Sequence, residues 1–278
     1  MSRPRSLALI ACLALAACAD AAAGVVAGME SAEPSAGPGR ARTITISVDG
    51  LNVRLDVRAP GGEPESAMIF RGQERRLVAI DHARKSFVEI DENVVVGMDE
   101  RMKNAMGRAH EQARKLPPGQ REAMEQRLSE RMAASRLQPP ASIEVRRTDE
   151  RDTLDGRPAT KHVVFRDGEK IREVWTTPWS GIEGGEELRP AFAELVSFVD
   201  ELQTVVDRLL TSAGGSLSIA SGPFAAMERM DGFPVLATSF EEGREVLRTV
   251  FTSSRRLALD PSTFEPPEGY RSRIVRDR

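Results

Sequence analysis

The side chains with the widest catalytic repertoire, histidine and cysteine, are few in this chain and far apart. The three histidines are His82, His110 and His162, and no two are spaced as H-x-x-x-H or H-E-x-x-H, so the usual zinc pattern is missing. No serine lies in a G-x-S-x-G motif, and Trp179-Ser180-Gly181 lacks the flanking glycine of a nucleophile elbow. We therefore predict a protein that is not an enzyme and that uses no cofactor and no metal.

Three methionines could supply a different metal chemistry. Met98, Met102 and Met106 recur at every fourth residue of a helical pattern, and thioethers are ligands that suit Cu(I). The same spacing places them on one face of a helix, where methionine fills irregular gaps and forms adaptable binding surfaces. We interpret them as core residues or as part of a ligand cavity, in preference to a copper site.

Two tryptophans and an acidic cluster surround one predicted strand end. Trp175 and Trp179 flank Pro178 at the rim of the predicted sheet, where they either pack as core residues or stand at the mouth of an apolar cavity. The cluster 183–187 lacks the alternating ligands of a calcium loop, so we expect a solvated loop and a helix start there. The candidate cavity residues are Trp175, Trp179, Met98, Met102 and Met106.

The first residues have the pattern of an export signal that ends at a cysteine. Arg3 and Arg5 precede an apolar run over 7–17, which is shorter than the about 20 residues of a membrane-spanning helix. Leu15-Ala16-Ala17-Cys18 resembles the lipobox of bacterial lipoproteins, which implies cleavage before Cys18 and a diacylglyceryl group on its sulfur. Residues 17–19 also fit an ordinary A-x-A cleavage site, which would release a soluble periplasmic protein.

The lipobox resemblance also implies a location. In lipoproteins the residue after the cysteine guides sorting, and here Ala19 occupies that position, with Asp20 one place late for retention at the inner membrane. We therefore expect an acyl anchor, palmitate for example, in the periplasmic face of the outer membrane. The lipid bilayer is the expected partner.

Charge and cysteine content exclude several classes of protein. The sequence has 39 Lys+Arg and 42 Asp+Glu, and no basic excess marks a nucleic-acid-binding surface. A hydrophobic fraction of 40% with 29% charged residues is typical of a globular chain. The two cysteines, Cys12 and Cys18, lie at or before the predicted cleavage site, so the mature chain can form no internal disulfide and no thiolate zinc site.

We divide the chain into a signal peptide over 1–17, a disordered tether over 18–41 and a single domain over 42–278. The tether is assigned because its residues are mostly Ala, Gly, Ser and Pro, with little to bury. The domain begins with alternating apolar residues on both sides of Asp49-Gly50, which predicts a hairpin with Val48 opposite Leu51. Three further strands, 67–71, 75–81 and 86–90, complete a meander of five before any helix.

The rest of the domain alternates between helical and strand periods. Residues 92–135 form a helical insert, interrupted by prolines, and a long helix runs from Pro190 to Gly214. The remaining strands are 142–147, 160–166, 170–177, 235–240 and 246–252. Around Asp167-Gly168, a two-residue loop would pair Phe165 with Lys170. A three-residue loop with a bulge would pair Phe165 with Ile171, and we prefer this second register because of the alternation of apolar residues. Residues 264–270 read as an extended cover.

Three short motifs resemble an uncharacterised family of bacterial secreted domains. They are the G-x-x-A-x-K of a strand start after Leu154-Asp155, the V-W-x-T of 174–177 and the D-P-x-x-F-x-x-P-x-G-Y of 260–270. The order of elements resembles the LolA/LolB-like half-barrel. That resemblance implies an α+β fold, in which helices pack on or across the concave face of a curved antiparallel β-sheet, and it brings no catalytic residues.

Two functional hypotheses follow. The first is a non-enzymatic envelope lipoprotein that binds an apolar ligand, such as an acyl chain or a lipoprotein, in the half-barrel beneath a lid of helices. The alternative is a structural or interaction protein that docks an envelope partner through the helical insert 92–135, whose residues 99–114 are strongly charged.

Overall fold

The computed structural model describes most of the chain after residue 23. The described residues are 24–35, 37, 39–91, 93, 94, 97, 104, 107, 108, 111, 114, 117, 119, 142–212 and 229–273, without the side chains of 202–212. Cys18 and the methionines 98, 102 and 106 lie outside them.

The described chain forms strands before and after one long helix. The strands are β1 Gly24–Ala32, β2 Arg42–Asp49, β3 Asn52–Arg58, β4 Pro64–Arg71, β5 Arg76–Asp81, β6 Ser86–Ile90, β7 Ile143–Leu154, β8 Arg157–Arg166, β9 Glu169–Thr177, β10 Phe233–Glu241, β11 Arg244–Leu257 and β12 Arg271–Ser272. The helix α1 spans Gly185–Ser212 between β9 and β10.

All of these strands belong to one open sheet. Its order is β12-β6-β5-β4-β3-β2-β1-β11-β10-β9-β8-β7, so two meanders, β1–β6 and β7–β11, are joined where β1 pairs with β11. Every pair is antiparallel except β12 with β6, which is parallel. The sheet does not close on itself, and β7 is the edge strand on the side away from β12.

The predicted α+β half-barrel with helices packed across a concave face is therefore wrong. The described residues form a mixed, sheet-dominated fold of 12 strands with one long α-helix. The strand content is higher than predicted because several strands run beyond their expected ends; β11, for example, is 14 residues long. A strand that the sequence did not predict, β1, also adds to the sheet.

That strand lies within the segment that we assigned to a disordered tether. Residues 24–32 pair with β2 on one side and with β11 on the other, so they occupy the middle of the sheet. Small residues suit this place because neighbouring groups approach it closely. A Cβ on Gly24 would lie 2.5 Å from Cδ1 of Leu259, and one on Gly28 would lie 2.9 Å from Oγ1 of Thr252.

The first predicted hairpin is present, but its register differs by two residues. Asp49 pairs with Asn52 and Val48 with Val53, so Gly50 and Leu51 form the loop. Gly50 has φ 56°, as expected at the first central position of a type II′ turn. A shift of two residues leaves each side chain on its predicted face, and Ile46 and Leu55 are indeed both buried.

The hairpin of β8 and β9 takes the alternative that we did not prefer. Phe165 pairs with Lys170 across the two-residue loop Asp167-Gly168. Both loop residues have positive φ, 52° and 84°, which is the requirement of a type I′ turn. The irregularity that we expected in the loop lies instead within the ladder, between Val164 and Phe165.

The main core joins α1 to the first meander. It contains inward side chains of β1–β6, the buried side of α1, and residues from β8, β10 and β11. Phe70 of β4 and Phe198 of α1 are both fully buried, with ring centroids 5.3 Å apart. α1 begins five residues before Pro190, which we expected in its first turn.

A second cluster covers the opposite side of β4 and β5. Ala67, Ile69, Val78 and Ile80 pack with Phe264, and Leu259 and Tyr270 lie at its margin. Residues 264–270, which the sequence predicted as an extended cover, thus lie over this face, and the segment 259–263 extends the cover. Arg54 and Arg71 fasten it by donating to the backbone oxygens of Thr263 and Phe264, at 2.9 and 3.0 Å.

Among the described residues, no helix combines the length and the apolar content that a membrane span requires.

Candidate functional site

A third apolar cluster lies on the second meander. It consists of Val164, Val174, Met230 and Ala237, with three half-buried residues of β7 and β9 at its margin. Two cavities border it, since Met230 lines one and Val164 lines another. The candidate site is therefore sought along this cluster.

One of these cavities, which we call the α1 cleft, has a volume of about 570 Å³. Its apolar walls come from Trp179, Phe192, Ala193, Val196 and Met230. Its charged margin consists of Arg189, Arg229 and Asp231, all exposed, so the cleft reaches the surface. A volume of this size lies within the about 300–1,000 Å³ of small-molecule sites, most of which have apolar walls and few polar groups.

Backbone packing fixes the position of Trp179. The residue begins the short 3₁₀ turn Trp179–Gly181, directly after Pro178, and that turn leads into α1. A Cβ on Gly185 would lie 1.9 Å from the carbonyl oxygen of Trp179, so only glycine allows the helix to start this close to the turn. Gly184, at φ 75°, packs against Val25 of β1 in the same way.

Aromatic rings support the wall behind Trp179. The ring centroid of Trp179 is 5.6 Å from that of Phe233 and 6.4 Å from that of Phe192. Phe233 also contacts Phe251 edge to face at 5.5 Å. Aromatic pairs at these separations contribute about 0.5–1.5 kcal/mol each beyond area burial, so the wall is rigid without a ligand.

A second cavity of about 260 Å³, the polar pocket, adjoins the cleft. The two share Trp179, Arg189 and Asp231. The other polar side chains of the pocket are Arg147, Glu186, Thr160, Thr176 and Ser180. An apolar chamber thus continues into a small chamber that contains charges and hydroxyls.

Beside the polar pocket lies a buried histidine. His162 is 2% exposed, and its Nε2 is 3.2 Å from Oγ1 of Thr176. Thr176 donates its hydroxyl hydrogen to the backbone oxygen of Asp231 at 3.1 Å, so Nε2 must donate to Thr176 and Nδ1 carries no proton. Burial, and then the charge of Arg147, lower the pKa of His162, which keeps the ring neutral.

This geometry does not make Thr176 a nucleophile. A histidine that activates a hydroxyl must accept its hydrogen, whereas here the histidine donates and the hydroxyl hydrogen is directed at a carbonyl. Nδ1 of His162 has no hydrogen-bond partner. Within the described residues, no three His, Cys, Asp or Glu side chains are grouped as a metal site.

The largest of the three cavities, about 970 Å³, is lined by Val164, Ile143 and Ile171 of the third cluster. Arg172 on β9 lines it; the side chain is 8% exposed and donates from Nε to Oγ of Ser239 at 3.3 Å. Burial, together with the charge of Arg166, lowers the pKa of Arg172 to about 10, so the guanidinium stays charged at neutral pH. Six carboxylates also line this cavity: Glu33, Asp167, Glu169, Glu241, Glu242 and Glu245.

We assign the candidate site to the α1 cleft and its polar pocket, although the acidic cavity is larger. An apolar ligand gains from contact with apolar walls, and the cleft has five such residues, two of them aromatic. The acidic cavity has seven apolar lining residues, but eight charged ones stand among them and prefer water, against three charged residues in the cleft.

The structure separates the two predicted tryptophans. Trp179 lines both the cleft and the polar pocket. Trp175 lines none of the three cavities; it packs against the main core, and Nζ of Lys161 is 5.9 Å from its ring centroid. Cys18, Met98, Met102 and Met106 lie outside the described residues, so their predicted roles stay predictions.

Sequence reasoning missed most of the residues around Trp179. Phe192 and Val196 lie in the long helix that the sequence predicted, but nothing in the sequence marked them as cavity residues. Arg147 of β7 and Arg189 of α1 carry no local signal, because only the sheet topology brings β7 beside the start of the helix. The glycine pair 184–185, directly after the 3₁₀ turn, is the signal that marks a close approach there.

No family model matches this chain, and no curated protein does. The chain is similar to a solved structure of an uncharacterized conserved protein from Thermus thermophilus, with TM-score 0.43 and 9% identity over 90% of each chain. It is similar to PNGF-II in the C2 space group (TM-score 0.39, 8% identity) over 91% of this chain and 31% of that one. It is also similar to PNGF-II in the P21 space group, with TM-score 0.39 and 10% identity over 88% of this chain and 30% of that one. Similarity at this level carries no argument about function.

Proposed function

We propose that this protein is a non-enzymatic binding protein of the bacterial envelope that takes up an apolar ligand, such as an acyl chain, in the α1 cleft. The observation that carries the proposal is the cleft of about 570 Å³ walled by Trp179, Phe192, Ala193, Val196 and Met230. An elongated apolar chain gains about 25 cal/mol for each Å² of its surface that such walls remove from water.

The chemistry beside the cleft supports binding in preference to catalysis. The His162–Thr176 pair has its hydrogen bond in the wrong direction for activation of the hydroxyl. The aromatic wall is already packed, so a ligand meets a preformed surface and less side-chain freedom is lost on binding.

Displacement of a fluorescent fatty acid from the purified chain tests this proposal. We expect saturable binding with one ligand per chain. Ala193→Trp should fill the cleft from α1 and weaken binding at least about tenfold, since overpacking leaves no room for the ligand. Ala83→Trp, on an exposed turn between β5 and β6, is the matched control and should bind like the parent. Equal binding by the parent and Ala193→Trp, or none by either, would reject the cleft.

The envelope location is part of the proposal. It is supported by the lipobox 15–18 and by the start of β1 at Gly24, because cleavage before Cys18 would leave the whole sheet intact. Intact mass of protein extracted from membranes tests it. We expect acyl mass on the parent and none on Cys18→Ser, which should move to the soluble periplasmic fraction. A parent without acyl mass would contradict the anchor.

The docking role of the insert 92–135 stays a prediction, as does the resemblance to the secreted-domain family. Only isolated positions of the insert are described, and among them Arg108, Glu111 and Arg114 are exposed.

A further inference from the structure

We propose that the polar pocket holds an anionic group, a carboxylate or a phosphate, between Arg147 and Arg189, so that the ligand is an amphiphile with a negative head. This inference rests on the proposed function, since the pocket is the polar continuation of the α1 cleft. The shared residues Trp179, Arg189 and Asp231 make the two cavities one site for a ligand with an apolar tail and a polar head.

The two arginines of the pocket lack an acidic partner among the described residues. Most cations of the second meander are paired with acids, as Lys161 is with Glu150 and Glu173, although a few, such as Arg151, are not. Arg147 and Arg189 form neither an ion pair nor a side-chain hydrogen bond with any described residue. Both side chains are exposed and line the pocket, so their N–H groups are available to a ligand there, and a guanidinium binds a carboxylate or phosphate through two parallel hydrogen bonds.

The two acids in the pocket balance the formal charge of the two arginines but do not form ion pairs with them. Glu186 and Asp231 both line it, but neither has a carboxylate oxygen within 4.0 Å of a guanidinium nitrogen of Arg147 or Arg189. Glu186 lies in the first turn of α1, where the backbone N–H groups stabilise a carboxylate. The hydroxyls of Thr160 and Ser180 add donors that an oxyanion can use.

The nearby histidine adds no charge to the pocket. His162 stays neutral because burial and Arg147 lower its pKa, so it adds no charge near neutrality. The affinity for an anionic head should therefore be constant between about pH 6.5 and pH 8, where arginine stays protonated.

Three ligands with the same sixteen-carbon tail test the inference on the full chain. Palmitate carries a carboxylate, palmitoyl lysophosphatidylglycerol carries a phosphate, and hexadecanol carries no charge. We expect palmitate to bind the parent about tenfold more tightly than hexadecanol, as expected for charge-assisted hydrogen bonds near the surface. Comparison of palmitate with the lysolipid identifies the source of the anion, a free fatty acid or a lipid headgroup.

Arginine variants then locate the head. Arg147→Gln and Arg189→Gln should each lower palmitate affinity about tenfold and change hexadecanol affinity less than about twofold. The matched control is Arg151→Gln, because Arg151 is an exposed arginine on the same strand as Arg147 and lines none of the three cavities. It should bind all three ligands like the parent.

The outcomes separate the two proposals. If none of the three ligands binds the parent, the proposed function fails. If palmitate and hexadecanol bind equally and the arginine variants change neither, the cleft is retained and the anionic head is rejected. The salt dependence of binding to the parent is a further test, and it does not depend on the folding of any variant. We expect palmitate affinity, but not hexadecanol affinity, to fall with added salt. Equal salt dependence of the two ligands would also reject the anionic head.

Discussion

The two meanders are built from the same antiparallel ladders, yet they bury different side chains. In the first meander, β4 has five consecutive buried residues, because α1 covers one face and the segment 259–270 covers the other. In the second, β7 is exposed or half-buried along its whole length, and the buried groups of β8 and β9 include His162, Arg172 and Thr176. The first meander therefore carries most of the apolar burial.

This difference in burial between the two meanders indicates which of them tolerates substitution. A face that is packed on both sides has no room for a ligand and loses free energy with each atom removed. A face with buried polar groups and open chambers contributes less to stability and can be adapted to a ligand. The predictions below use pairs of variants, one on each side of this contrast.

The largest difference is expected between two phenylalanines. Phe70→Ala in the main core should lower the free energy of unfolding by about 3–5 kcal/mol, because it removes a fully buried ring and leaves a cavity. Phe240→Ala should lower it by less than about 1.5 kcal/mol, since that ring is half-buried at the acidic cavity beneath Lys170. Urea unfolding measures both. Equal losses would mean that the second meander is packed as tightly as the first.

A methyl group at the start of α1 should have the next largest effect. Gly185→Ala brings a Cβ into the carbonyl of Trp179, which must move, so we expect a loss of about 1–3 kcal/mol together with weaker ligand binding. Gly107→Ala is the control, because a Cβ there meets nothing within 4 Å, and its stability should change by less than about 1 kcal/mol. Unchanged binding in Gly185→Ala would place the ligand away from Trp179.

Acid should destabilise the protein through His162. Its pKa is lower in the folded chain, so below about pH 6.5 the unfolded chain binds a proton that the folded chain does not. The free energy of unfolding should therefore fall as the pH drops below this value. Above it, the contribution of His162 to stability is complete. His162→Gln keeps a donor for Thr176 and should lose less stability on acidification.

Urea midpoints at about pH 7.5 and about pH 5.5 measure this effect, in a range above the usual carboxylate pKa values. His82 contributes with the same sign, because burial lowers its pKa as well, so His82→Gln is the comparison. An identical pH dependence in the parent and in His162→Gln would contradict the assignment.

The smallest effect is expected on the surface of the second meander. Glu245 accepts from Nε of Arg248 at 2.8 Å, which lowers the pKa of the carboxyl, but Arg248 is exposed and Glu245 is only half-buried. Glu245→Gln should change the unfolding free energy by less than about 1 kcal/mol, since water and salt screen such pairs. Differential scanning calorimetry that detected a larger loss would show that the edge of the acidic cavity is structural.

Local patterns in the sequence predicted where the strands lie better than they predicted which residues pair across neighbouring strands. The turn residues Asp49-Gly50 and Asp167-Gly168 located two hairpins, but loop geometry decided both registers, and we chose the wrong one each time. β1 was missed because its small residues resemble a linker. Glycine is required at positions 24 and 28 because Leu259 and Thr252, which are distant in sequence, leave no room for a Cβ there.

The site was less predictable than the fold. Trp179 could be placed near a cavity because it follows a strand end and a proline. Arg147 of β7 and Arg189 of α1, which line the polar pocket with Trp179, are far apart in sequence and are brought together only by the sheet order. No local period carries that information, so a contact of this kind needs the tertiary structure.

The position of β1 limits how far the domain could stand from a membrane. Only five residues separate Cys18 from Gly24, and such a stretch reaches at most about 22 Å. Gly184, beside the turn that carries Trp179, packs against Val25 at the same end of the strand. If Cys18 carries a lipid, the end of β1 that packs beside the turn of Trp179 can therefore stand no more than about 22 Å from the anchored residue.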